Sequence, residues 1–155
     1  MSKPRYRWWG YVKNIIRAYP DLERRLQEIK EPSITANPSG GTSGGKGVSR
    51  TVEVAALREL PREEQKEYEA VHRAVLITQQ MRTGRDRLKL VELCYWKKSH
   101  TLEGAADKIH VSYDTAIDYN GDFIMLTAYS LGLIAYDGLR QSQKFALKSQ
   151  KTVVE

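Results

Sequence analysis

The sequence TLEGAADKIHVSYDTAIDYNGDFIML, residues 101–126, decides the fold that we expect. Two short helices that cross steeply need small side chains at the crossing, and Ala105 and Ala106 are placed to provide them. Ser112 can cap the second helix, because its hydroxyl can accept a hydrogen bond from a backbone N–H one turn further on. The pattern therefore predicts a helix, a tight turn and a second helix, with Ile109 as the apolar plug between them.

The second helix and the turn before it carry an apolar face that we expect to pack inward. Its members are Val111, Ala116, Ile117, Phe123 and Ile124. His110 stands at the turn position that glycine often occupies in such units, where a positive φ is needed. Histidine tolerates that conformation better than most residues, so we expect the turn to form around His110.

This order of features resembles the sigma-70 region-4-like helix-turn-helix, in which a Val-Ser start opens the recognition helix. A wider resemblance, over about residues 3–134, is to the RinA/ArpU-like group of prophage late-gene transcriptional regulators. The segments that carry it are KPRYRWWGYVKNIIRAYP, EYEAVHRAV and WKKSHTLEGAADKIHVSYDTAIDYNGDFI. The resemblance implies a protein that binds promoter-proximal double-stranded DNA and activates phage packaging or lysis genes, alongside RNA polymerase.

Candidate DNA contacts follow from the geometry expected of a recognition helix, whose polar side chains meet base edges in the major groove. The candidates in or beside that helix are Ser112, Tyr113, Thr115, Tyr119 and Asn120. Candidate phosphate contacts are Lys97 and Lys98, just before the unit, and Arg5 and Arg7 near the N-terminus. Asp114 and Asp118 lie on the same helix and would repel phosphates unless they accept hydrogen bonds from cytosine amino groups.

The charge distribution supports a second hypothesis. The chain carries a net charge of +6, but residues 101–138 hold one lysine against six acidic residues. A face formed by Asp114, Asp118 and Asp122 could dock on a basic protein surface, such as RNA polymerase or another phage factor. The chain would then be a protein-interaction adaptor. A third possibility is a small DNA-packaging subunit that assembles into rings.

The N-terminal part predicts a helical hairpin over residues 1–30. Residues 5–19 place apolar side chains at three- and four-residue spacing, which is typical of an amphipathic helix. Pro20 is expected to end that helix, and Asp21 to cap a second one. Residues 31–50 are rich in Gly and Ser and predict a flexible linker. The segment GGTSGGK within this linker is similar to the first part of a phosphate-binding loop, but Gly47 follows where Ser or Thr is required.

The central part predicts a long helix within residues 51–83, which Gly84 is expected to end. A narrow stripe on this helix suits packing against another helix, from the same chain or from a second copy in a homodimer or higher oligomer. Its members are Tyr68, Val71, Val75 and Thr78. Residues 84–138 form the predicted trihelical helix-turn-helix unit, which begins with a helix over residues 85–98. Residues 139–155 are polar and weakly patterned and predict a frayed helix or a basic tail.

Composition limits the class of protein. The chain of 155 residues has no run of the roughly 20 apolar residues that a membrane span requires, and its N-terminus does not resemble a secretion signal. The lone cysteine, Cys94, fits a reducing compartment, so we expect a cytoplasmic protein. The resemblance to prophage regulators implies that this is the cytoplasm of a bacterial host cell. The three histidines and Cys94 show no metal-ligand spacing, and no nucleophile has an identifiable base. We therefore expect an all-α protein that is not an enzyme and uses no metal or cofactor.

Overall fold

The computed structural model describes residues 6–30 and 60–154, with side chains up to residue 149. Its helices are α1 (Trp9–Lys30), α2 (Arg62–Gln79), α3 (Gly84–Val91), α4 (Leu102–Lys108), α5 (Tyr113–Ser130) and α6 (Gln141–Val154). A π-helical turn spans Glu92–Trp96 and a 3₁₀ turn spans Tyr136–Gly138. These two ranges hold no strand, which confirms the all-α expectation for this part of the chain. The predicted linker, the start of the predicted long helix and Arg5 lie outside the described residues.

The N-terminal segment is one helix, so the predicted break at Pro20 and the predicted hairpin are wrong. Proline has no N–H and cannot donate to the carbonyl oxygen four residues earlier, which here belongs to Ile16. The indole Nε1–H of Trp96 donates to that oxygen instead, at 3.0 Å. Because another element satisfies the acceptor that Pro20 leaves free, α1 continues to Lys30.

The main core joins α1, α2, α5 and α6. Its fully buried members include Val12, Ile16, Val71, Ile77 and Ile124. The stripe predicted on α2 packs into this core: Val71 and Thr78 are buried, and Tyr68 and Val75 are half-buried against it. Of the two uses predicted for that stripe, the structure therefore shows packing within the same chain. None of the helices in the described ranges is long and apolar enough to cross a membrane.

The segment predicted to be a basic tail forms α6 and packs on the core through Ala146 and Leu147. Gln143, which is 1% exposed, fixes the start of this helix. Its Nε2 donates to the backbone carbonyl of Asp122 at 3.0 Å, and its Oε1 accepts from the backbone N–H of Arg140 at 2.9 Å. The sequence did not predict that this helix packs on the core, because one of the residues that holds α6 in place is a buried amide, which a hydrophobicity pattern does not detect.

Gly84 begins α3, whereas the sequence predicted that it would end the preceding helix. α2 ends at Gln79, and a short turn leads to Gly84. A Cβ atom at Gly84 would overlap the backbone carbonyl oxygen of Thr78. Glycine is needed here because the two backbone segments approach closely.

Candidate nucleic-acid interface

The start of α5 is positioned by its packing on α4. Three small side chains meet there, and Ala105, Ala106 and Ala116 are all buried. Leu90 and Leu93, from α3 and the π-helical turn, complete this second core cluster. The burial of the alanine pair confirms the prediction that small residues lie where α4 and α5 pack together.

The turn between α4 and α5 has the local geometry that its residues predict. His110 adopts a φ of 61°. The hydroxyl of Ser112 accepts a hydrogen bond from the backbone N–H of Thr115 at 3.1 Å, so Ser112 is the N-cap of α5. Thr101 caps α4 in the same way, by accepting from the N–H of Gly104 at 3.1 Å. Both helices therefore begin at fixed positions.

The exposed face of α5 begins at its first residue. Ser112 is exposed, and the side chains of Tyr113 and Ile117 are 39% and 41% exposed. The prediction that Ile117 points inward is therefore wrong. Thr115 is half-buried, and its hydroxyl lies 2.8 Å from that of Ser112.

Two of the candidate DNA contacts are directed into the protein. Tyr119 is buried beneath Arg87, whose guanidinium carbon lies 4.4 Å from the centre of the tyrosine ring. Asn120 is half-buried, and its Oδ1 accepts a hydrogen bond from the hydroxyl of Tyr95. Burial raises the pKa of Tyr95 to about 12, so this hydroxyl stays a donor. Tyr119 and Asn120 hold α5 in place and are removed from the set of surface contacts.

The sequence predicted that the three aspartates of α5 form one acidic face. The structure shows that they do not. Asp122 is buried, and its Oδ2 lies 2.7 Å from Nη1 of Arg87. Asp118 is exposed but lies 3.3 Å from Nη1 of Arg140. Asp114 is exposed in the first turn of the helix, where a carboxylate complements the helix dipole. The surface of α5 therefore carries less unpaired negative charge than the three aspartates in its sequence would suggest.

The loop that leads into α4 presents the predicted pair of lysines. Lys97 and Lys98 are both exposed, and Lys98 has a φ of 52°. Lys97 forms an ion pair with Glu92 at 3.2 Å. Hydrogen bonds from Lys89 and Lys97 lower the pKa of Glu92, so this carboxylate stays charged and offsets part of the positive charge.

An open groove of about 590 Å³ adds basic residues that sequence reasoning missed. It lies between α3 and the turn before α5, and Leu88, Trp96 and Ile109 contribute its apolar lining. Its cationic and imidazole side chains are Arg85, Lys89, Lys108 and His110, and the carboxylates of Asp86 and Glu92 also line it. The positions of Arg85 and Lys89, four residues apart on one helix, were the available signal. Their closeness to Lys108 depends on the packing of α3 against α4.

The N-terminal aromatic residues mainly contact other side chains of the protein. Trp8 and Trp9 are half-buried against the main core, and Tyr6 stacks on Trp8 with ring centres 4.7 Å apart. Arg7 is exposed and stays a candidate phosphate contact.

Cys94 is half-buried, and burial raises the pKa of its thiol. Among the described residues, no group of three or more His, Cys, Asp or Glu side chains could hold a metal ion.

The described part of the chain is thus an all-helical module in which a short turn exposes the capped start of one helix beside several basic side chains. A scan against protein-family models, a search of curated proteins and a search of solved structures found no match to this chain.

Proposed function

We propose that this chain is a DNA-binding transcription regulator of the phage type, with α4, the turn and α5 acting as a helix-turn-helix. The observation that carries the proposal is the exposed, N-capped first turn of α5, held against α4 through buried alanines. A helix that enters the major groove needs its first residues free and its opposite face anchored. The resemblance to prophage late-gene regulators extends the proposal to activation of packaging or lysis genes.

The exposed side chains of α5 are suited to make both apolar and polar contacts in the major groove of DNA. Tyr113 and Ile117 lie four residues apart on one face and can pack against thymine methyl groups. The hydroxyl of Ser112, beside the N-terminus of the helix, is suited to contact a phosphate or a base edge. Base readout on this helix therefore uses Ser112, Tyr113, Thr115 and Ile117.

Basic residues beside this face would supply the affinity that does not depend on sequence. Lys97, Lys98, Arg85 and Lys108 are exposed and come from three separate parts of the chain. Each cation that contacts a phosphate releases counterions from the DNA, and binding then weakens as salt rises. RNA polymerase is proposed as a second partner on the resemblance alone.

Titration of a fluorescent pool of random 30-base-pair duplexes with the full chain, followed by anisotropy, tests this proposal. Four phosphate contacts predict that affinity falls by roughly a hundredfold between 50 and 200 mM salt. Repeated selection from the same pool should enrich a defined sequence. The absence of salt-sensitive binding at 50 mM would contradict direct DNA binding.

A second candidate function, a protein-interaction adaptor, is favoured by one observation. Tyr113 and Ile117 form an exposed aromatic and aliphatic pair, which also suits a protein surface. The variant Asp114→Lys separates the two functions in the same anisotropy measurement. It should tighten DNA binding if α5 faces DNA, and leave DNA binding unchanged if α5 faces a protein.

A further inference from the structure

We infer that Arg140 is a positioning residue that neutralises Asp118 and so allows α5 to approach phosphates, an inference that rests on the proposed function. Asp118 lies on the exposed part of α5, one turn after Asp114. A bare carboxylate there would repel the DNA backbone. Arg140 comes from the other end of the unit, just before α6, and places its guanidinium over this carboxylate.

The guanidinium of Arg140 interacts with two aspartates on successive turns of α5. Its Nη1 lies 3.3 Å from Oδ1 of Asp118, and its Nε lies 3.6 Å from Oδ1 of Asp122. Asp122 also has its own close partner, because Nη1 of Arg87 lies 2.7 Å from its other carboxylate oxygen. Arg140 is therefore free to offset the charge of Asp118.

The backbone of Arg140 is held by a buried contact. Its N–H donates to Oε1 of Gln143, and Nε2 of Gln143 donates to the carbonyl of Asp122 on α5. Because Gln143 is almost completely buried, the start of α6 is fixed against α5. The backbone from which the Arg140 side chain extends is therefore fixed relative to α5, within reach of Asp118.

Stability alone gives little reason for this ion pair. The side chains of Arg140 and Asp118 are more than half exposed, and exposed pairs contribute little to the free energy of unfolding. Beside a polyanion the same pair has a larger effect. Loss of Arg140 would leave Asp118 and Asp114 as two unshielded carboxylates on the face that approaches DNA.

A double-mutant cycle in DNA affinity tests the inference, with Arg140→Gln, Asp118→Asn and the double variant measured at 100 mM salt. Arg140→Gln should weaken binding by about fivefold in the wild-type background. In the Asp118→Asn background the same change should alter affinity by less than about twofold, because no carboxylate is left to neutralise. Arg140→Lys should retain most of the wild-type affinity. Thermal unfolding of each variant checks that α6 stays docked.

Three outcomes would overturn the inference. Equal losses from Arg140→Gln in both backgrounds would mean that Arg140 contacts phosphate directly. No loss in either background would mean that Asp118 does not face DNA. A loss in affinity that follows a fall in melting temperature would mean that Arg140 only stabilises the fold. If the wild-type chain binds no DNA, the proposed function fails first, so the two failures are distinguishable.

Discussion

Arg87→Met is expected to lower the free energy of unfolding by about 3–5 kcal/mol, the usual cost of breaking a buried ion pair by removing one partner. The side chain of Asp122 is 5% exposed and would be left with only the longer contact from Arg140. Arg87 also donates through Nε to the hydroxyl of Thr83 at 2.8 Å and covers the ring of Tyr119. One substitution therefore removes the polar contacts of Arg87 that join α3 to the middle of α5.

Urea denaturation followed by circular dichroism measures this change. The matched control is Arg24→Met, because Arg24 pairs with Asp21 on the surface of α1 and both side chains are more than half exposed. The control should leave the urea midpoint almost unchanged, because exposed ion pairs contribute little to the free energy of unfolding. The double variant Arg87→Met with Asp122→Leu should recover much of the loss, because no uncompensated charge stays buried. A loss below about 1 kcal/mol for Arg87→Met alone would contradict the buried ion pair.

The second large effect is expected on DNA binding when Lys97, Lys98 and Lys108 are all replaced by glutamine in one variant. If each lysine contacts one phosphate, the slope of log affinity against log salt should become shallower by about 2.7. Affinity at 50 mM salt should fall by roughly a hundredfold, with similar losses on all duplex sequences, because phosphate contacts do not read bases. Because Lys97 already forms an ion pair with Glu92, we expect it to contribute the least of the three lysines to DNA affinity.

Lys66→Gln is the control for this measurement, because Lys66 is an exposed lysine in the first turns of α2. It should leave the salt slope unchanged. A slope that becomes shallower in the control by about a third of the change in the triple variant would show that only net charge matters. In that case the loop before α4 and the end of α4 would not lie on the DNA.

The sequence predicted the features that depend on neighbouring residues. The buried alanine pair, the cap at Ser112 and the positive φ of His110 are all set within about ten residues of chain. Helix caps and tight turns depend on local hydrogen bonds and local steric limits, so the local sequence is sufficient to predict them. The turn and the capped start of α5, which belong to the candidate site, were therefore predicted from the local sequence.

The features that the sequence did not predict depend on distant partners. α1 continues through Pro20 because Trp96, 80 residues after Ile16, donates to the carbonyl of Ile16. On α5, the pattern predicted Ile117 as an inward residue and Tyr119 as a surface contact, whereas Ile117 is exposed and Tyr119 is buried in contact with Arg87 from α3. The helix from residue 141 is held by Gln143, a residue type that usually indicates an exposed surface.

Site-specific photo-crosslinking tests most directly whether the exposed start of α5 binds DNA. A benzophenone amino acid replaces Tyr113 in one variant and Leu133 in another, two positions that are 39% and 40% exposed. After irradiation with duplex DNA at 50 mM salt, the variant at Tyr113 should form a covalent protein–DNA adduct and the variant at Leu133 should form little. Equal adduct formation at the two positions, or adducts at Leu133 alone, would contradict α5 as the helix that enters the groove.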